Sequence, residues 1–329
     1  MHADRRLRKV ELLGRARHVE FGEQHVERHE QVQVESPQIS HRYTWNIGNS
    51  FPIYLRDRHP AVHSTDGGPN MNVLIVYAHP EPRSLNGALR DFAVARLEAA
   101  GHTVQVSDLY AMNWKPALDA NDMMDRAHDA RFDPALDSKR AYETGTQRED
   151  IAREQEKLKW ADTVILQFPL WWFSMPAIMK GWVERVYAYG FAYGVGEHSD
   201  RHWGDRYGEG SLAGKRAMLI VTTGGWESHY SARGINGPID DVLFPIQHGI
   251  LYYPGFDVLP PFVIYQTHRM DEARFAETRA ALGKRLDELA TTPPIPYRRQ
   301  NAGDYEIPAL TLKPDIAPGK VGFAAHLAA

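Results

Sequence analysis

From residue 71 onward, apolar positions fall into two alternating patterns. Residues 72–78 (NVLIVYA) form an unbroken, β-branched apolar run, the mark of a strand covered on both faces. Over 86–100, Leu89, Phe92, Ala93 and Leu97 recur at helical spacing, which gives one apolar face. Further strands are predicted at 102–109, 163–169, 216–223 and 257–265. Residues 110–145 read as an irregular insert. A helix over 146–160 is opened by a capping box of Thr146 and Glu149. The next has Pro176 in its first turn and a stripe of Ile178, Met179, Trp182, Val183, Val186 and Tyr187. A short apolar helix is predicted at 238–250. A last one at 271–290 turns Phe275, Leu282, Leu286 and Leu289 inward. Strands alternating with helices over about 220 residues predict an α/β fold, an open doubly wound parallel sheet with right-handed crossovers. Ligands of such sheets bind beyond the carboxyl ends of the strands, near the switch in strand order.

The flanks differ. Residues 1–70 show no sustained apolar period and end in the turn-rich run DGGPN, directly before Met71. They are expected to be a disordered N-terminal extension, or to precede the true start at Met71. They hold seven of the sixteen histidines, but without a ligand-like spacing, so no metal site is expected. Residues 71–292 form the α/β domain. Residues 293–329 are proline-rich, with apolar runs in IPALTL and VGFAAHL, and are expected to form a C-terminal arm lying on this or a partner subunit.

Composition removes several classes of function. The formal net charge of −4 offers nothing to nucleic acid or an anionic membrane. The chain has no cysteine, which excludes disulfides, thiolate nucleophiles and cysteine metal sites. Any redox chemistry must be carried by a bound cofactor. The start lacks a signal-peptide core, and the most apolar run, 163–179, is too short and interrupted to span a bilayer. A cytoplasmic protein, not integral to the membrane, is expected.

Three loops at the ligand-binding edge carry candidate chemistry. The first, HPEPRSLNGAL (79–89), leads into a helix capped by Ser84 or Asn86. Free N–H groups at such a start suit a phosphate, with His79, Ser84 and Asn86 as added donors. It matches neither the GxGxxG nor the P-loop pattern. The second is PLWWF (169–173). Three consecutive aromatics cannot all face one core, so Trp171, Trp172 and Phe173 offer a flat apolar wall to a heterocycle. The third, TTGGWESHYSARGINGP (222–238), combines Gly224 and Gly225, which allow close backbone approach, with the phenol of Tyr230 and the amide of Asn236. Together the loops describe a phosphate end, an aromatic wall and a polar floor, which fit a flavin nucleotide.

The stretches YAHPEPRSLN, SDLYAMNW, FPLWWFSMPAIMKGWVERV, TTGG, FPIQHGIL and PGFDVL resemble the flavodoxin-like NAD(P)H:quinone oxidoreductases, the DT-diaphorase family, over about 71–292. The resemblance implies a five-stranded parallel sheet of order 2-1-3-4-5 and a homodimer with its sites at the interface. It implies FAD as cofactor, with FMN the alternative, and ping-pong hydride transfer from NADH or NADPH to a quinone-like acceptor. The family's phosphate turn falls on His79, Ser84, Leu85 and Asn86. Its flavin-ring segment falls on Pro169, Leu170, Trp171, Trp172 and Phe173, and its backbone ring contacts on Thr222, Thr223, Gly224 and Gly225. An adenine-side arginine matches Arg274. Tyr193 and Phe256, with Trp172 and Phe173, match the substrate pocket. Tyr230, Asn236, Gly224 and Gly225 fall on the catalytic positions.

Two positions depart from the family. Asn236 stands where a histidine relays a proton in the animal enzymes, and an amide cannot become a cation. Val195 replaces a pocket tyrosine. Three other functions remain open: a flavin-binding ancillary subunit of a potassium-efflux transporter, a one-electron flavodoxin carrier, and a phosphate-binding protein without flavin.

Overall fold

The structure, a computed structural model, describes residues 70–127 and 129–328. The expectations for residues 1–70 lie outside the described residues, Asn70 aside.

β1 (Asn72–Tyr77) pairs in parallel with β2 (Thr103–Asp108) on one side and β3 (Thr163–Pro169) on the other. β4 (Arg216–Thr222) continues beside β3, and β5 (Asp257–Val258) and β6 (Phe262–Ile264) both pair with β4. The strand order is thus 2-1-3-4-5, with the fifth position filled by two short pieces. The predicted single strand 257–265 is broken because Pro260 and Pro261 supply no N–H to a ladder.

Alternation along the strands sorts side chains to two faces. Val73, Ile75, Tyr77 and Ile220 pack with Leu89 and Leu97 of α1 (Leu85–Ala99) and with Leu282 and Leu286 of α6 (Glu272–Asp287). Leu74, Val76, Phe168 and Leu219 pack on the other face. There they meet α3 (Glu149–Trp160), α4 (Ala177–Val186) and α5 (Ile239–Ile246). Burying a strand on both faces is what the unbroken apolar runs require.

Four local expectations are corrected. The stretch 110–145 is not wholly irregular: α2 (Pro134–Thr144) lies in it, capped by Asp133, opened by Pro134 and stopped by the left-handed Gly145. The Thr146/Glu149 capping box does not form. Arg148 occupies the cap of α3, and Thr146 Oγ1 bonds Thr144 Oγ1 at 2.8 Å instead. Pro176 is the cap residue of α4 rather than part of its first turn. The helix expected at 238–250 contains Pro245, and the chain widens into a π-helical stretch over Gln247–Tyr252.

Residues 293–328 run back over the domain. Ile295 N–H donates to Val258 O at 2.7 Å, and Tyr297 joins the core on the α5 face. Phe323 stacks on Phe244 with ring centroids 4.1 Å apart. This segment therefore packs against its own chain. Among the described residues, no helix is long and apolar enough to cross a membrane.

Candidate active site

Three loops meet at the carboxyl edge of β1, β3 and β4. Strand register brings them together: Tyr77 lies opposite Gln167, and Pro169 opposite Thr222. Three hydrogen bonds then lock the loops. Gln167 Nε2 donates to Asn86 O at 2.8 Å, Asn86 Nδ2 to Thr222 Oγ1 at 2.8 Å, and Leu170 N–H to Thr222 O at 2.8 Å. Asn86 and Thr222 are both buried. Their side chains brace the site internally; sequence had assigned the Asn86 side chain, and the Thr222 backbone, to a ligand.

The first loop ends at Ser84, the N-cap of α1, whose Oγ accepts from Gly87 N–H at 3.2 Å. The N–H groups of Leu85 and Asn86 precede any intrahelical acceptor, so the helix start keeps unspent donors and a positive dipole end. The Leu85 side chain packs against the core, which leaves its backbone N–H as the group it can offer at the helix start. Gly87 has a reason to be glycine: a Cβ there would lie 1.9 Å from Pro82 O. The loop thus folds tightly over the first helical turn. His79 Nδ1 accepts from Glu81 N–H at 3.1 Å, and burial lowers its pKa below the usual imidazole value. Its ring lies 6.1 Å from that of Trp171.

The second loop makes a tight turn. Trp171 N–H donates to Ser174 O at 3.0 Å, and Ser174 N–H returns to Trp171 O at 3.1 Å. The two central residues, Trp172 and Phe173, have φ of 51° and 61°, the sign combination of a type I′ turn. Glycine and asparagine normally fill such positions, and a bulky side chain there costs roughly 1 kcal/mol or more. The turn presents the rings outward: Trp172 is 96% exposed, and Trp171 and Phe173 are also exposed. A chain that accepts both strain and exposed aromatic surface has a wall ready for a flat ligand or a partner.

The third loop forms the floor. Thr223 Oγ1 lies 3.1 Å from Tyr230 Oη and accepts from Gly225 N–H at 3.3 Å. Gln266 N–H donates to Gly225 O at 2.9 Å. A Cβ on Gly225 would lie 2.7 Å from the Tyr230 ring, so glycine lets the phenol tuck beneath the loop. At Gly224 a Cβ would meet nothing within 4 Å, so that backbone faces open space. Tyr265 packs beside Tyr230 with ring centroids 5.9 Å apart, and burial pushes its phenol up to about 12. Arg274 donates to Tyr265 O at 2.8 Å and Gln266 O at 3.1 Å. Sequence assigned it to an adenine; here it pins the backbone that underlies the floor.

Three predicted residues stand apart. Phe256 is 0% exposed and packs in the core on the α5 face. Tyr193 stacks on Tyr189, centroids 5.1 Å apart, away from the aromatic turn. Asn236 is half-buried and is held through its backbone N–H, which donates to His229 O at 3.0 Å. Its side chain has no hydrogen-bond partner among the described residues. His229 itself is exposed, its ring beside Trp226. Sequence reasoning missed Tyr265 and Gln266, which underpin the floor. Their only signal was the position just after an edge strand.

The residues fit a flavin nucleotide. The α1 start suits its phosphates, the turn its ring, and the open backbone at Gly224 the ring's polar edge. Comparison with known proteins agrees with this architecture. Residues 71–286 match the flavodoxin-like fold family. The chain is 61% identical over 242 residues to the ribosyldihydronicotinamide dehydrogenase-like protein traD of Penicillium crustosum, covering 74% of this chain and 90% of that one. It is 42% identical over 225 residues to human ribosyldihydronicotinamide dehydrogenase [quinone], covering 68% and 94%. A crystal structure of a candidate quinone reductase from Klebsiella pneumoniae superimposes with a TM-score of 0.78 at 68% identity, covering 79% of this chain and all of that one. The sheet order, the edge loops and these likenesses together make the chain a member of the flavodoxin-like fold family.

Proposed function

We propose that the chain is a flavin-dependent oxidoreductase that passes two electrons from a dihydronicotinamide to a quinone. The observation that carries this is the left-handed turn at Trp172 and Phe173, held beside a hydroxyl-lined floor. The three edge loops would hold FAD, which would supply the two-electron redox chemistry that a chain without cysteine lacks.

The chain's own residues do four things. The N–H groups of Leu85 and Asn86, with Ser84, hold the phosphates. Trp171, Trp172 and Phe173 stack against the ring and exclude water. The backbone at Gly224, steadied by the hydrogen bonds of Gly225, would donate toward the ring's carbonyl edge, where negative charge builds on reduction. Tyr230, oriented by Thr223, gives a further hydrogen bond to the same charge. Asn236 supplies an amide where a proton relay would need a titratable group. The donor is NADH, NADPH or the ribosyldihydronicotinamide named for two relatives. The exposed turn and the 93% exposed Ile235 support a homodimer that closes over this edge.

The test is anaerobic titration of the FAD-loaded protein with NADH, NADPH and dihydronicotinamide riboside, followed by a quinone. Stoichiometric bleaching by one donor and full reoxidation by the quinone is the expected result. A bound flavin that no donor reduces would reject the reductase and favour a regulatory subunit. Failure to bind flavin would reject the site itself.

A further inference from the structure

A second constellation lies far along the chain from the edge loops. Residues 195–205 fold back on themselves just after Tyr193. His198 and Trp203 form a bridge, Gly204 N–H donates to Glu197 O at 2.8 Å, and Asp205 N–H to Val195 O at 2.9 Å. At the base of this loop stand His202, Asp205 and Glu209. One ligand-type atom from each lies within 4.8 Å of the others, and all three side chains are half-buried.

Their surroundings give the two carboxylates one imidazole and one amide as partners. His202 Nε2 lies 2.7 Å from Asp205 Oδ1. Glu209 Oε2 accepts from Asn301 Nδ2 at 2.6 Å. Among the described residues, neither carboxylate has a lysine or arginine within salt-bridge distance. The loop is also built to hold Asp205 in place: a Cβ on Gly196 would lie 2.3 Å from the Asp205 carboxyl carbon. Asn301 orients the group from outside. Besides Glu209, its Nδ2 donates to Gly204 O at 3.0 Å, and its Oδ1 accepts from Trp203 N–H at 3.3 Å. A ligand carboxylate that is itself hydrogen-bonded by an outer amide is how metal sites fix their geometry.

We propose that His202, Asp205 and Glu209 bind a divalent transition-metal ion of the Zn²⁺ type. One imidazole nitrogen and two carboxylate oxygens form a borderline donor set that suits Zn²⁺ or Mn²⁺ better than Ca²⁺. Ligand atoms around a tetrahedral zinc lie about 3.4 Å apart, given bonds near 2.1 Å. Small rotations of these half-exposed side chains reach that spacing, and water completes the shell. The ion neutralises the carboxylates and, through Asn301, fastens the 195–205 loop to the C-terminal segment. Its role is structural and separate from the flavin site.

The test is isothermal calorimetry of the EDTA-treated, dialysed full chain with Zn²⁺ at neutral pH, alongside thermal melts. One ion per chain is expected, with a dissociation constant on the order of micromolar. His202→Ala and Glu209→Gln each weaken binding at least about tenfold and abolish the rise in melting temperature caused by Zn²⁺. Both residues lie on a surface loop, so their circular dichroism spectra should match the parent. A His326→Ala variant should bind as the parent does. No saturable heat below about 1 mM Zn²⁺ would overturn the proposal. So would unchanged affinity in both loop variants. Loss of binding only in His326→Ala would move the ion to the His248–His326 pair, whose rings lie 5.8 Å apart, and would equally overturn it.

Discussion

Asn86 Nδ2 donates to Thr222 Oγ1 at 2.8 Å across 136 residues of sequence. The bond ties the phosphate-turn helix to the last residue of β4, and both partners are buried. Asn86→Ala removes the donor and should cost about 1–3 kcal/mol in urea unfolding. Thr222→Val keeps the shape but strands the amide, and should cost a similar amount. The double variant should cost less than the sum of the two, because the pair is coupled. Additive losses would show that the bond contributes nothing of its own.

Tyr230 is held by Thr223 at 3.1 Å beneath the glycine floor. Its ring packs beside Tyr265, and the proposed function gives its hydroxyl a part in the reaction. Tyr230→Phe should therefore lower turnover by roughly a hundredfold. FAD affinity, followed by fluorescence quenching, should stay near the parent value. Unchanged turnover would remove the phenol from the reaction.

Trp172 has a left-handed backbone and an exposed ring. Trp172→Gly relieves the backbone and loses almost no buried surface. Thermal unfolding of the flavin-free protein should show unchanged or slightly higher stability, by up to about 1 kcal/mol. Quinone KM should rise all the same. A variant that loses stability would mean that Trp172 is covered by a partner subunit in solution, which sedimentation would reveal.

The sequence carried the sheet well. Short, β-branched, unbroken apolar runs between turn signals are the mark of strands buried on both faces, and the cap expected at Ser84 or Asn86 is Ser84. It carried the turn poorly. Nothing in Trp172 or Phe173 announces positive φ, because residues that normally adopt it are glycine and asparagine. The roles of Asn86, Thr222 and Arg274 were also hidden. Each was read toward a ligand, by side chain or by backbone, and in the fold each also hydrogen-bonds another part of the chain. Such pairings across long separations leave no local pattern. α2 was missed although Asp133, Pro134 and Gly145 mark its ends, because its apolar period is weak.

Asn236 sits half-buried in the third loop, and its side chain has no hydrogen-bond partner among the described residues. Asn236→His places an ionisable ring there. The pH profile of kcat should gain an inflection within about a unit of pH 6.5. A profile that overlays the parent would show that position 236 does not sense the reaction.

His248 packs among Phe244, Tyr207 and Tyr297, with ring centroids 4.6, 4.7 and 5.0 Å away. Burial, then the neighbouring His326, lowers its pKa from 6.5 to about 4. The neutral ring is therefore the folded form. Between those two values the unfolded chain takes up a proton that the folded chain refuses, so stability falls as pH drops through that window. The melting temperature should decline between pH 7 and pH 4, and His248→Phe should flatten that decline. An identical slope in the variant would clear His248 of responsibility.

Pro260 and Pro261 break the strand that closes the sheet on the β4 side. An intact parallel edge would expose a row of unused N–H and C=O groups, a template on which another chain can add a strand. Here that border is only two short pieces, β5 and β6, separated by residues that cannot donate. The interruption leaves the border unable to recruit neighbours end to end. A border so broken is a poor template for an added strand, at the cost of a few ladder hydrogen bonds.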